Sequence, residues 1–126
     1  MGEKCFIGLG SNESTADTLL AARAELQAAF PGIRFGRIRL TQPIDFSSPR
    51  TFFNTAAVCD SLFTAEQLKA RFKEIERALG RRANDKLQGI VKIDIDLLAY
   101  GGRVLKPADW ERPYVREARE ELSFYL

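Results

Sequence analysis

Apolar positions along this chain recur at two periods, near two in some segments and near 3.6 in others, and the switches between them outline its elements. Cys5-Phe6-Ile7-Gly8-Leu9 is an almost continuous apolar run and predicts a buried first strand, closed by Gly10-Ser11-Asn12. From about Asp17 to Phe30, the residues Leu19, Ala22, Leu26 and Phe30 recur at spacings of three and four, predicting a helix that Pro31-Gly32 stops. Ile33 to Thr41 alternates, with Ile33, Phe35, Arg37 and Arg39 against Arg34, Gly36, Ile38 and Leu40, as a strand with one wet face would. A loop rich in Pro, Ser and Asp spans Gln42 to Arg50, and a third strand is expected from Phe52 to Leu62. Thr64-Ala65-Glu66-Gln67 has the form of a capping box. The helix it opens carries Leu68, Phe72, Ile75 and Leu79 as its core stripe, and Gly80 suits its C-terminal cap. A basic loop, Arg81 to Gly89, leads to a fourth strand from Ile90 to Tyr100. Gly101-Gly102 then turns the chain into a tail without clear periodicity.

The order β-α-β-β-α-β within about 100 residues is that of the ferredoxin-like, split βαβ arrangement of the α/β (α+β) class. It implies an antiparallel sheet with the fourth and third strands flanking the first, two helices on one face, and the other face free to carry a site. Residues 1–126 are expected to form one domain. This fold hosts many unrelated functions, so activity has to be argued from particular residues.

Those residues lie in Ile93-Asp94-Ile95-Asp96-Leu97-Leu98. In a strand, side chains i and i+2 stand on one face, with their Cα atoms roughly 6–7 Å apart. Asp94 and Asp96 are then parallel, while Ile93, Ile95 and Leu97 anchor the opposite face. Asp is poor in strands, and two ionised carboxylates held this way repel unless a cation joins them. Mg2+ accepts one or two carboxylates and completes its sphere with water and substrate phosphate. A solvated acidic edge is the alternative; a metal accounts better for both residues.

Composition narrows the chemistry. Histidine is absent from the 126 residues, which removes Ser-His-Asp and Cys-His catalysis, His-ligated zinc and the usual near-neutral base. Phosphoryl transfer suits what remains, because it depends on positioning and charge neutralisation. A net charge of +2 gives no reason to expect nucleic acid or a membrane surface as partner. No apolar run reaches transmembrane length, and Met1-Gly2-Glu3-Lys4 lacks a signal-peptide layout. A cytoplasmic location is therefore expected, with Cys5 and Cys59 as buried free thiols.

Four segments recur together at characteristic separations: Ile7-Gly8-Leu9-Gly10-Ser11-Asn12, Phe52-Phe53-Asn54-Thr55-Ala56-Ala57-Val58, Ile75-Glu76-Arg77-Ala78-Leu79-Gly80-Arg81 and Ile93-Asp94-Ile95-Asp96-Leu97-Leu98. In this order the chain resembles the 6-hydroxymethyl-7,8-dihydropterin pyrophosphokinases of folate biosynthesis, from Lys4 to about Gly101. The resemblance implies transfer of a diphosphate group from ATP to the hydroxymethyl group of a reduced pterin, releasing AMP. Asp94 and Asp96 match the acidic pair that holds two Mg2+ ions on ATP. Arg81 matches a basic residue placed to meet phosphate, and Glu76 a polar position near the nucleotide, though a loop arginine and a helix-surface charge are the plain alternatives. Asn54 matches the amide that reads the pterin edge, Phe52 the aromatic that stacks on it (or simply a core residue), and Thr41 and Pro43 the loop that touches the pterin.

The chain also departs from that pattern. Val91 stands where the family has an arginine; Lys92, one residue along, is the candidate ATP ligand in its place but points to the other face if the strand has already begun, and Gln88 replaces a tryptophan. Beyond the fourth strand the family's Pro-His pair is missing. For that pair and the Arg-aromatic that follows it in the family, the nearest match here is Pro113-Tyr114, with Arg116 or Arg119 as candidate phosphate ligands. For turnover, the tail from about Arg103 has to fold over the nucleotide and bring at least one cation among Arg112, Arg116 and Arg119. Two other readings stay open: a catalytically reduced paralogue that binds a pterin or nucleotide, and a ferredoxin-like module for protein or RNA.

Overall fold

The computed structural model describes residues 2–42 and 51–126. The first strand, β1 (Glu3–Ser11), is followed by helix α1 (Asp17–Ala29), the short strands β2 (Arg34–Phe35) and β3 (Arg39–Thr41), and the long strand β4 (Phe52–Ser61). Helix α2 (Ala65–Ala78) and strand β5 (Asp94–Tyr100) come next, then β6 (Arg103–Val104), α3 (Pro107–Trp110) and α4 (Pro113–Glu121). The sheet is antiparallel throughout and runs β2-β4-β1-β5-β6, with β3 also pairing with β4. The central strand thus lies between β4 and β5, the third and fourth strands expected from the sequence.

Alternation along the strands divides the interior in two. Cys5, Ile7 and Leu9 of β1, Ala57 and Cys59 of β4, and Ile95 and Leu97 of β5 pack with Leu19, Leu26, Leu68 and Phe72 of α1 and α2. Both thiols are free and buried there, directly opposite each other across the β1–β4 ladder. The helix α2 starts as its sequence foretells: Thr64 Oγ1 accepts from the Gln67 N–H at 3.1 Å, and Gln67 Oε1 accepts from the Thr64 N–H at 2.8 Å.

The other face differs from expectation. Phe6, Ala56, Val58 and Leu98 carry a second core, closed by Val115, Ala118 and Leu122 of the C-terminal segment, with Trp110 and Tyr114 alongside. Phe6 and Trp110 meet edge to face at 5.2 Å between ring centroids. The tail is therefore an integral layer, and only part of this face is open. Gly101 and Gly102, both with positive φ, make the tight turn that returns the chain along β5 and starts that layer.

Two strand boundaries also shift. The alternating stretch Ile33–Thr41 is split into β2 and β3: the Gly36 N–H still donates to Ala56 O at 2.8 Å, but its carbonyl accepts from the Thr55 hydroxyl and the Arg37 N–H donates to the Glu121 carboxylate. Residues 90–93 precede β5 and are not extended strand. Among the described residues, no helix is long and apolar enough to cross a membrane.

Candidate functional site

The open part of the second face is floored by glycine. Gly10 pairs with Asn54 on one side and Asp94 on the other; Gly8 pairs with Ala56 and Asp96. Asp94, Gly10 and Asn54 thus form one row across three strands, and the missing side chain between them leaves a trough about 10 Å wide, two strand spacings. A Cβ at Gly10 would come within 2.7 Å of Asn54 Nδ2, so the glycine is needed for the amide to lie across the strand. The resulting cleft has a volume near 850 Å³, in the range of small-molecule sites. Gly-x-Gly within an apolar strand is a signal the sequence did carry, since a strand glycine often marks close approach of a ligand or backbone.

At one end of the trough, β4 and β3 present Phe52, Asn54 and Thr41 to the cleft. The Thr41 hydroxyl donates to Asn54 Oδ1, and Asn54 Nδ2 donates to Leu9 O at 3.4 Å. These bonds fix the amide plane, and among the described residues they leave one lone pair on Oδ1 and one N–H on Nδ2 for a ligand. Pro43, the remaining residue expected here, lies outside the described residues.

At the other end, Asp94 and Asp96 share one face of β5 and point away from α1 and α2, whereas Ile95 and Leu97 point toward them. Asp96 is pushed up to about 6, chiefly by burial and next by the Asp94 carboxylate beside it. Arg81 reaches Asp94 from the end of α2. Its Nη1 lies 3.0 Å from Asp94 Oδ1, 3.1 Å from Glu76 Oε1 and 3.2 Å from Ile93 O. Glu76 is buried and lines the cleft, so it is not a helix-surface charge: its Oε2 accepts the Ile95 N–H at 2.7 Å. Burial pushes its carboxyl up, and the Ile95 bond and Arg81 oppose that shift. Glu76 and Arg81 together therefore hold the strand that carries the two aspartates.

Three expected phosphate ligands stand elsewhere. Lys92 donates to Gly80 O at 2.8 Å and caps the end of α2, because β5 begins only after it. Arg119 lies over the Trp110 ring at 4.3 Å and donates to Trp110 O, since α4 turns Val115 and Ala118 to the sheet. Arg116 is exposed, and neither it nor Arg119 belongs to the described lining of the cleft. The cations that do line it are Lys69, Lys73, Lys86, Lys106 and Arg112, besides Arg81. Of these, sequence reasoning named only Arg112 and Arg81. Tyr114 closes the floor beside Gly8, its hydroxyl pushed up to about 12 by burial. Asn12 was missed as well: it clamps the basic loop to β1, donating to Gly89 O at 2.8 Å and accepting the Val91 N–H at 2.7 Å.

Among the described residues no three acidic, cysteine or histidine side chains converge on one point, so a metal here has two protein carboxylates and must find its other ligands on a substrate. That donor set, hard oxygens with one carboxyl raised chiefly by burial and next by its neighbour, fits Mg2+ carried by a polyphosphate.

Against known proteins, residues 6–123 match the family model for 7,8-dihydro-6-hydroxymethylpterin-pyrophosphokinase. The chain is similar to a 2-amino-4-hydroxy-6-hydroxymethyldihydropteridine pyrophosphokinase of Methylorubrum extorquens, 35% identical over 106 residues. That alignment covers 79% of this chain and 64% of the relative, a little under two thirds of its length. A protein of the same name from Porphyromonas gingivalis is 27% identical over 134 positions, covering 96% of this chain and 91% of its own.

Proposed function

This chain belongs to the 7,8-dihydro-6-hydroxymethylpterin-pyrophosphokinase family, and on that premise we propose that it transfers diphosphate from ATP to the hydroxymethyl group of 6-hydroxymethyl-7,8-dihydropterin, with Mg2+ as cofactor and AMP as the second product. The observation that carries this reading is the single trough that joins the Asn54 amide to the Asp94–Asp96 pair across glycine. A pterin presents donors and acceptors along one edge, and among the described residues Asn54 keeps one unused position of each kind. Phe52 offers an aromatic wall for its ring, an interaction of about 0.5–1.5 kcal/mol beyond area burial. With the ring held there, the hydroxymethyl group points along the trough toward the carboxylates. Its oxygen attacks the β-phosphorus of ATP as the bond from that phosphorus to the α,β-bridging oxygen breaks; AMP leaves with the bridging oxygen, and the hydroxyl proton passes to water.

The residues around the carboxylates supply charge. Mg2+ bound by Asp94 and Asp96 would neutralise the triphosphate and polarise the group in transfer. Arg81, tied to Asp94 and Glu76, orients β5. The lysines of α2 and the C-terminal cations line the remaining walls, so the negative charge of the transferred group is met from more than one side. This abundance of cations in the cleft favours turnover over a pocket that only binds.

Release of AMP that depends on both the pterin and Mg2+ is the expected result when the protein is mixed with ATP and 6-hydroxymethyl-7,8-dihydropterin. If no AMP forms at saturating Mg2+ while the pterin still raises the melting temperature, the protein is a binding module and the catalytic reading fails. Asn54→Ala is expected to weaken pterin binding by about 1–3 kcal/mol, since the ligand's polar edge loses its partner. Unchanged pterin affinity by calorimetric titration would remove Asn54 from the recognition site.

A further inference from the structure

We propose that Lys106 is a phosphate-binding cation of this site, resting on Asp96 in the free protein and passing to the polyphosphate when a divalent cation takes that carboxylate. The proposal deepens the diphosphate-transfer reading and rests on it for the identity of the polyphosphate. It starts from one contact: Lys106 Nζ donates to Asp96 Oδ1 at 3.0 Å. Nothing in the local sequence points to this, because Lys106 lies ten residues beyond Asp96, in the tail.

The fold puts it there firmly. After the Gly101-Gly102 turn the chain runs back along β5, and the N–H groups of Leu105 and Lys106 both donate to Leu98 O, at 2.8 and 3.3 Å. Pro107 then begins α3, which holds the backbone at the start of the helix. The Lys106 backbone is thus anchored beside the strand that carries both aspartates, and its flexible stem extends into the cleft with Asp109 and Arg112.

The ion pair itself is exchangeable. Its side chains are 44% and 31% exposed, and pairs so open to water contribute little to stability. An ammonium has three donors, and among the described residues Asp96 is the hydrogen-bond partner it finds. A divalent cation on Asp96 would stand close to Nζ, and like charges so near repel strongly even where water screens them. The same cation brings phosphate oxygens into the cleft. Lys106 then exchanges one anionic oxygen for another without moving its backbone.

Two effects of opposite sign follow for Lys106→Met. Mn2+ alone, followed by its electron spin resonance signal, should bind about two- to fivefold more tightly, because a competing cation has gone. The non-hydrolysable analogue α,β-methylene-ATP with Mg2+ should bind roughly ten- to a hundredfold more weakly, the loss of one charge-assisted bond to phosphate. Lys106→Arg should restore most of the nucleotide affinity. A side chain that only braced the fold would weaken both ligands together, and Lys106→Gln, read beside the melting temperature of each variant, guards against a misfolded methionine variant. Unchanged or weaker Mn2+ binding, or unchanged nucleotide binding, overturns the proposal. If the opposed shifts appear in a protein that forms no AMP, the role of Lys106 stands and the catalytic reading fails; if AMP forms and Lys106→Met behaves as wild type, the reverse holds.

Discussion

Asp96→Asn is expected to leave the protein nearly inactive and, at pH 7.5, more stable than the parent. Both effects come from the same electrostatics. The Asp96 carboxyl is raised to about 6 by burial and by Asp94, so the fold favours its protonated form. Its contribution to stability is complete below the unfolded value of 3.8 and is lost as pH rises through about 6. At pH 7.5 the parent therefore holds a charge that its surroundings disfavour, which the amide does not carry. Loss of the half-exposed Lys106 ion pair offsets part of the gain. A net increase on the order of 1 kcal/mol, or about 3–5 °C in Tm, is expected at pH 7.5, and it should shrink toward zero near pH 4. Turnover should fall by roughly 10³-fold or more, since about 4 kcal/mol of charge stabilisation in the transition state corresponds to that factor. Melting curves of the two proteins from pH 4 to 8, alongside AMP release, give both readings. Active Asp96→Asn protein would exclude this carboxylate from the reaction, and a variant less stable at every pH would make the pair a structural device.

The parts of this architecture that could be read from the sequence are those whose cause is local. The Thr64–Gln67 capping box, the Leu68-Phe72-Ile75 stripe and the alternation from Ile93 to Leu97 each depend on neighbours within a turn or along one strand. The parity of β5 then decided which face Asp94 and Asp96 would occupy. The failures have non-local causes. The alternating run breaks at Gly36 and Arg37 because the Thr55 hydroxyl and the Glu121 carboxylate, far away in sequence, take their backbone groups. Glu76 reads as a surface charge on α2, but the edge of β5 gives it a backbone N–H to bind. Lys92 looked like a strand residue facing the wrong way, and it is a helix cap just before the strand. The tail escaped notice because α4 is short and largely charged, with only Val115, Ala118 and Leu122 at helical spacing. Pro107 and Pro113, each at a helix start, were the usable signals.

That tail supports the Asn54 end of the trough as much as the Asp94–Asp96 end, so deleting residues after Gly102 is expected to unfold the protein, taking pterin binding with it. Phe6, Val58 and Leu98 would each lose the cover given by Val115, Ala118 and Leu122. At about 1.5–3 kcal/mol per large apolar side chain, the summed loss is comparable to the 5–15 kcal/mol stability of an ordinary domain. A second link points the same way. Arg39 of β3 binds Glu117 at 3.1 Å and Glu121 at 3.0 Å, and the Arg37 N–H donates to the Glu121 carboxylate. Helix α4 therefore fastens the strand whose Thr41 orients Asn54. A separable lid over the nucleotide would behave differently, abolishing AMP release while pterin affinity stayed unchanged. Cutting only after Ser123 provides the contrast, because Phe124 is 90% exposed and its removal should leave Tm within about 1–2 °C, as surface changes usually do. Circular dichroism melts and pterin titration of the two truncations decide the matter. A cooperative melt with intact pterin binding after the longer deletion would show that the second core is dispensable.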